Sequence, residues 1–159
     1  MPSVTDTLII GIDPGKVTGV AKHFTDSKNI SHHKFEDKMA LYEFVLSAIT
    51  RTHELRMGVV LAVERYTMGN TTRSAQPDAL EIIGVMRWFA HHEGANFMLQ
   101  GAADASKVGS RLNLIRAGWW VPGDPDQHRN KASAQVAYAL MRRYPHLWLT
   151  LIGSDKSDS

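Results

Sequence analysis

Short apolar runs and longer amphipathic stretches alternate along the chain in an order that predicts three strands, a helix, a strand, a helix, a strand and then further helices. Leu8-Ile9-Ile10-Gly11-Ile12 is a short run of the buried-strand type, and Gly19-Val20-Ala21 follows a turn-rich segment. Ile30 to Phe35 makes a third, weaker strand. From Asp37 to about Leu55, the residues Leu41, Tyr42, Val45, Ala48 and Ile49 recur at helical spacing with polar residues between them. Val59-Val60-Leu61-Ala62-Val63 is an unbroken apolar run, as expected of a central strand covered on both faces, and Glu64 stands at its tip.

A polar stretch from Arg65 to Gln76 precedes a helix from about Pro77 to His92 that carries Ile82, Ile83, Met86 and Phe89 on one stripe. Asn96 to Gln100 reads as a fifth strand and Ser106 to Ala117 as one helix. The last long helix has a start signal in Asp124 as N-cap, Pro125 as first helical residue and Gln127 as the reciprocal partner of a capping box. It runs to about Arg143 with Ala132, Val136, Ala139 and Leu140 inward, and Pro145 ends it. Leu147 to Ile152 can pack on the body, and residues 154 to 159 read as a frayed polar tail. The element order describes an α/β protein: a five-stranded sheet opening with a meander, with helices on both faces.

At 159 residues, with 43% hydrophobic and 21% charged residues, the chain fits one globular domain over residues 1–153. Cysteine is absent, which excludes structural disulfides, thiolate catalysis and cysteine zinc sites. No apolar run approaches the roughly 18 residues that span a bilayer, and the first residues lack a signal-peptide pattern. The expectation is a protein of the cytoplasm, without a membrane partner. The net charge of +2 is too small to argue for nucleic acid, but residues 101–150 hold seven basic and three acidic residues, enough for one phosphate-facing surface.

The segment Gly11-Ile12-Asp13-Pro14-Gly15-Lys16-Val17-Thr18-Gly19 places a carboxylate at the end of a buried strand and then turns sharply. An acid there suits a divalent cation, since Mg²⁺ takes hard oxygen ligands; the alternative is a plain Asp-Pro-Gly turn. Glu64 changes the balance, because a charge directly after five apolar residues is costly unless it is paired or ligated. Neighbouring strand tips would let Asp13 and Glu64 share a metal; otherwise Glu64 emerges into solvent or pairs with Arg65.

Four segments taken in order resemble the RuvC-like Holliday-junction resolvases, particularly their small bacteriophage-type members: Gly11 to Gly15 with Gly19, Val59 to Glu64, Asp78 to Trp88, and His128-Arg129-Asn130-Lys131-Ala132. The likeness covers about residues 6 to 143. It implies a ribonuclease-H-like sheet on which acids from the first strand, the fourth strand and the last helix bind two Mg²⁺ or Mn²⁺ ions. It also implies cleavage of branched DNA, junctions or flaps, by a two-fold dimer. Asp13 and Glu64 match the first two ligand positions. The last-helix pair falls on His128, which fits, and Lys131, which does not, since an ammonium group cannot ligate a metal.

Three explanations of that departure stand open. Lys131, on one helical face with His128, contacts the scissile phosphate while His128 completes a smaller site; Asp126 or Asp124 supplies the missing carboxylate; or the chain is catalytically weakened and only binds branched DNA. His128 is the favoured ligand, with Asp126 as a helper. Arg65, Tyr66, Arg73, Lys107, Arg111, Arg129 and Lys131 are the candidate DNA contacts, and Tyr66 or Met68 a candidate wedge into a junction. One of Trp119 and Trp120 is expected in the core. The adjacent pairs His32-His33 and His91-His92 each point in two directions and favour surface roles. Actin-like and sugar-kinase ATPases also begin a phosphate loop with an acid and glycines, but they need two lobes, and this chain has length for one.

Overall fold

The computed structural model describes residues 7–66, 76–124 and 127–153. Strands β1 (Thr7–Asp13), β2 (Thr18–Phe24) and β3 (Ser31–Phe35) form the expected antiparallel meander. Helix α1 (Lys38–Glu54) leads to β4 (Gly58–Glu64), and α2 (Gln76–Glu93) leads to β5 (Asn96–Gln100). Helices α3 (Ala102–Val108), α4 (Arg111–Ala117), α5 (His128–Arg143) and α6 (Pro145–Leu151) complete the order. The sheet runs β3-β2-β1-β4-β5, with β4 parallel to both β1 and β5. This is the mixed five-stranded sheet of the ribonuclease-H-like topology, with helices on both faces.

The strand period of two divides the core. Leu8, Ile10, Ile12, Val59, Leu61 and Val63 pack under α1 and α2 with Leu41, Val45, Ile49, Ile82, Met86 and Phe89. Ile9, Ala21, Val60 and Ala62 face the other way, under α5, with Trp119, Val136, Leu140 and Trp148. Both faces of β4 are therefore covered, which explains why its sequence is continuous rather than alternating. Asp37 caps α1 as its carboxylate accepts the Met39 N–H at 3.0 Å.

Three boundaries depart from expectation. The single helix expected over Ser106–Ala117 is two helices broken at Gly109 and Ser110. A Cβ on Gly109 would meet the Ala134 Cα at 2.6 Å, so the break lets this backbone lie against α5, and the Ser110 hydroxyl caps α4 by accepting from Asn113 N. Helix α5 begins at His128 rather than just after Asp124. Gln127, at a φ of 62°, turns the chain into the helix, and Asp124 caps from further upstream by accepting the Arg129 N–H at 3.1 Å. Gln127 completes no capping box; its side-chain amide donates to the Asp124 carbonyl. Pro125 lies outside the described residues. Finally, α5 does end before Pro145, but Pro145 then opens α6, which buries Trp148 against the body. No helix among the described residues is long and apolar enough to cross a membrane.

Candidate active site

The two candidate acids sit side by side by register. Ile12 pairs with Val63 in the parallel β1–β4 ladder, so the next residues, Asp13 and Glu64, occupy neighbouring strand ends. The period of two that sends Ile12 and Val63 under α1 and α2 turns Asp13 and Glu64 to the opposite face, under α5. Gln100 shares that face from the end of β5, opposite Glu64.

Glycines set how closely α5 comes. A Cβ on Gly11 would fall inside the Ala132 carbonyl, and one on Gly19 inside the His128 carbonyl. With hydrogen at both positions the first turns of α5 rest directly on β1 and β2. His128 is thereby brought over Asp13, its Nδ1 lying 3.0 Å from Asp13 Oδ2. Two turns on, Gln135 Nε2 donates to Glu64 Oε1 at 3.4 Å. Lys131 lies three residues after His128 and four before Gln135, on the same helical face. The loop below is held by Thr18, whose hydroxyl donates to the Gly15 carbonyl at 3.1 Å.

The electrostatics are those of crowded negative charge. Burial pushes the Asp13 carboxyl above its ordinary range, opposed by the His128 hydrogen bond and by the charge of Lys131. Burial and then the charge on Asp13 push Glu64 up to about 7, opposed by Lys131, Gln135 and His128. Both carboxyls are thus held above their ordinary range, Asp13 with the His128 ring nitrogen against its oxygen and Glu64 with the charge of Asp13 beside it.

The other expected residues are spread more widely. Among the described residues no group of three His, Asp or Glu side chains is placed to hold a metal ion. Asp126 and Arg73 lie outside the described residues, as does Met68. Asp124 is fully buried; burial raises its carboxyl, but the Arg129 N–H, the Arg129 charge and Lys34 bring it below the ordinary range. Its bonds are to the helix start and to Lys34 at 3.4 Å, a capping role. Arg129 is partly covered against Asp124, and its Nε is buried without a partner among the described residues. Arg65, Lys107, Arg111 and Lys131 are exposed, and the Tyr66 ring packs against the core. Trp119 is the buried tryptophan, while Arg111 lies over the Trp120 ring at 5.2 Å. The adjacent histidines do diverge: His32 meets Ser133 of α5 at 2.9 Å, a partly buried contact rather than a surface role, and the His33 ring packs at a tilt against Phe44.

Pro14, Glu64, Arg65, Tyr66, Ala79 and Ala102 line a cleft of about 200 Å³ beside Glu64. A larger cavity of about 590 Å³, lined by His23, Asp26, Lys28 and Arg116 among others, lies at the opposite end of the sheet. Sequence reasoning missed Gln100 and Gln135. The available signal was their position: Gln135 is a polar residue on the inward face of α5 beside Ala132 and Val136, and Gln100 ends a strand in register with Glu64.

No family model matches the chain, and no curated protein matches its sequence. Solved structures do match its fold. A Thermus thermophilus RuvC structure superposes with a TM-score of 0.54 at 14% identity, covering 88% of this chain and 96% of that one. T. thermophilus RuvC in complex with a Holliday junction substrate gives a TM-score of 0.52 at 15% identity, covering 93% and 97%. Over nearly its whole length, and at low sequence identity, this chain therefore shares the ribonuclease-H-like fold of RuvC.

Proposed function

We propose that the chain is a metal-dependent endonuclease that hydrolyses phosphodiesters in branched DNA, Holliday junctions or flaps. The observation that carries the reading is the pairing of Asp13 with Glu64 at adjacent strand ends, with Glu64 pushed up to about 7 by burial and by the charge of Asp13. Two carboxylates under such mutual pressure suit a hard divalent cation, which Mg²⁺ or Mn²⁺ would supply together with phosphate oxygens and water. Such ions, when bound, would supply activation of a water and stabilisation of the leaving oxygen.

Within that reading, Asp13 and Glu64 are the ligands and His128 the third donor. His128 Nδ1 lies 3.0 Å from Asp13 Oδ2, so the same imidazole would be within reach of a cation held by Asp13. Asp126 remains the candidate helper. Lys131 provides a fixed positive charge near both acids, suited to a scissile phosphate. Arg65, Tyr66, Lys107 and Arg111, with Arg73 and Arg129, are the proposed DNA contacts. RuvC, the protein of the matched fold, supports the substrate class through its Holliday junction complex.

Asp13→Asn is expected to abolish cleavage of a synthetic four-way junction in Mg²⁺ or Mn²⁺ while junction binding persists. Equal cleavage by wild type and variant removes Asp13 from the mechanism. A second reading, a branched-DNA-binding protein without nuclease activity, is favoured by Lys131 at the position of an expected ligand and by the absence, among the described residues, of a group of three His, Asp or Glu side chains already placed to hold a metal ion. It predicts junction affinity with no metal-dependent nicking by the wild type.

A homodimer belongs to the proposal. Helix α2 exposes Trp88 (55%) and Leu80 (57%) on the same side as Gly84, while Phe89 is buried. Such an apolar stripe suits a helix-to-helix contact between two copies.

A further inference from the structure

We propose that Gln100 and Gln135 form a one-way hydrogen-bond relay that positions Glu64 for a divalent cation; the proposal rests on the metal-site reading above. Gln100 Nε2 donates twice, to the backbone carbonyl of Gln135 at 3.0 Å and to Gln135 Oε1 at 2.9 Å. Gln135 Nε2 then donates to Glu64 Oε1 at 3.4 Å.

The direction of this chain is fixed by chemistry. A backbone carbonyl only accepts, so the nitrogen of Gln100, not its oxygen, must face Gln135. That nitrogen requires the oxygen of Gln135 toward it, which leaves the Gln135 nitrogen for Glu64. An ionised carboxylate only accepts, so the last link is satisfied when Glu64 carries its charge. Reversing Gln100 would set its oxygen against two other oxygens. The fold keeps this orientation although it leaves Gln100 Oε1 buried with no partner among the described residues.

Burial makes the relay stiff. Gln100 and Gln135 are each 1% exposed, the first at the end of β5 in register with Glu64 and the second on the inward face of α5. Glu64 itself is only partly buried, on a strand end where its side chain would otherwise sample several rotamers. Holding Oε1 selects one rotamer and leaves Oε2 as the oxygen for a cation. Gln135 and Gln100 are thus positioning residues: neither needs to touch metal or DNA.

The test is Mn²⁺ affinity without DNA, read by electron paramagnetic resonance on wild type, Glu64→Gln, Gln135→Met and Gln100→Met, with thermal unfolding alongside. Gln135→Met and Gln100→Met are expected to bind Mn²⁺ about 10–100-fold more weakly, as when an outer partner of a metal ligand is removed. A purely structural role would lower the unfolding temperature without moving the affinity of the folded protein. Wild-type affinity in both glutamine variants, with Glu64→Gln at least 10-fold weaker, overturns the relay and leaves the metal site standing. Wild-type affinity in Glu64→Gln overturns the metal site, and the relay with it. Should the glutamine variants not fold, the Gln135 side-chain amide signals decide by nuclear magnetic resonance. They are expected to shift in Glu64→Gln, and unchanged signals overturn the relay.

Discussion

Replacing Glu64 by glutamine should make the protein more stable at alkaline pH, because the native fold confines a charge it does not neutralise. The Glu64 carboxyl stands at about 7 against an ordinary 4.5. Between those values the folded state holds a proton that the unfolded chain has released, so wild-type stability falls as pH rises from about 4.5 to about 7. At 1.36 kcal/mol per pH unit the difference has an upper limit of roughly 3 kcal/mol. Glu64 is only partly buried, and solvent screening reduces this to about 1–2 kcal/mol. Glutamine has the same shape, carries no charge and can still accept from Gln135 through its oxygen. In metal-free buffer at pH 8, Glu64→Gln should therefore unfold about 3–6 °C above wild type for a chain of this size. At pH 4, where wild-type Glu64 is protonated, the two should unfold together. Mg²⁺ or Mn²⁺ at a concentration that saturates wild type should narrow the gap by stabilising wild type more than the variant. Denaturation melts at the two pH values check this, and equal or lower stability of the variant at pH 8 would refute the claim of confined charge.

Gly19→Ala should destabilise the protein by about 1–3 kcal/mol, since the new methyl group must displace the start of α5; an unchanged melting temperature would show that α5 does not rest on β2. Lys131→Ala should alter the cleavage rate or the preference between Mg²⁺ and Mn²⁺, and if neither moves, the ammonium group is ordinary surface. Trp88→Glu should shift the protein toward monomer in sedimentation if α2 forms the dimer contact, and an unaltered profile would place that contact elsewhere.

The sheet was legible because each strand run matched its burial: β4 reads as apolar without a break, and it is covered on both faces. Its register with β1 was not written in either segment alone, yet that register sets Asp13 beside Glu64. The roles of Gly11 and Gly19 depended on a helix more than a hundred residues away, so a local reading could assign glycine only to turns or close approach. The start of α5 was misjudged for a related reason. Asp124 does cap the helix, but across a left-handed Gln127, a detour that a fixed spacing rule for capping does not include. The break at Gly109 was hidden because the helical apolar pattern continues across it, and only the contact with Ala134 shows why the chain interrupts there. Gln100 and Gln135 lacked charge to draw notice; their meaning lies in which atom donates to which.

Whether Asp13 and Glu64 together hold a divalent cation is decided by soaking crystals in Mn²⁺ and measuring anomalous scattering. A peak is expected within ligand distance of both carboxylates, with His128 moved off Asp13 Oδ2 or joined to the ion. An anomalous map with no peak between the two carboxylates at saturating Mn²⁺ would contradict it.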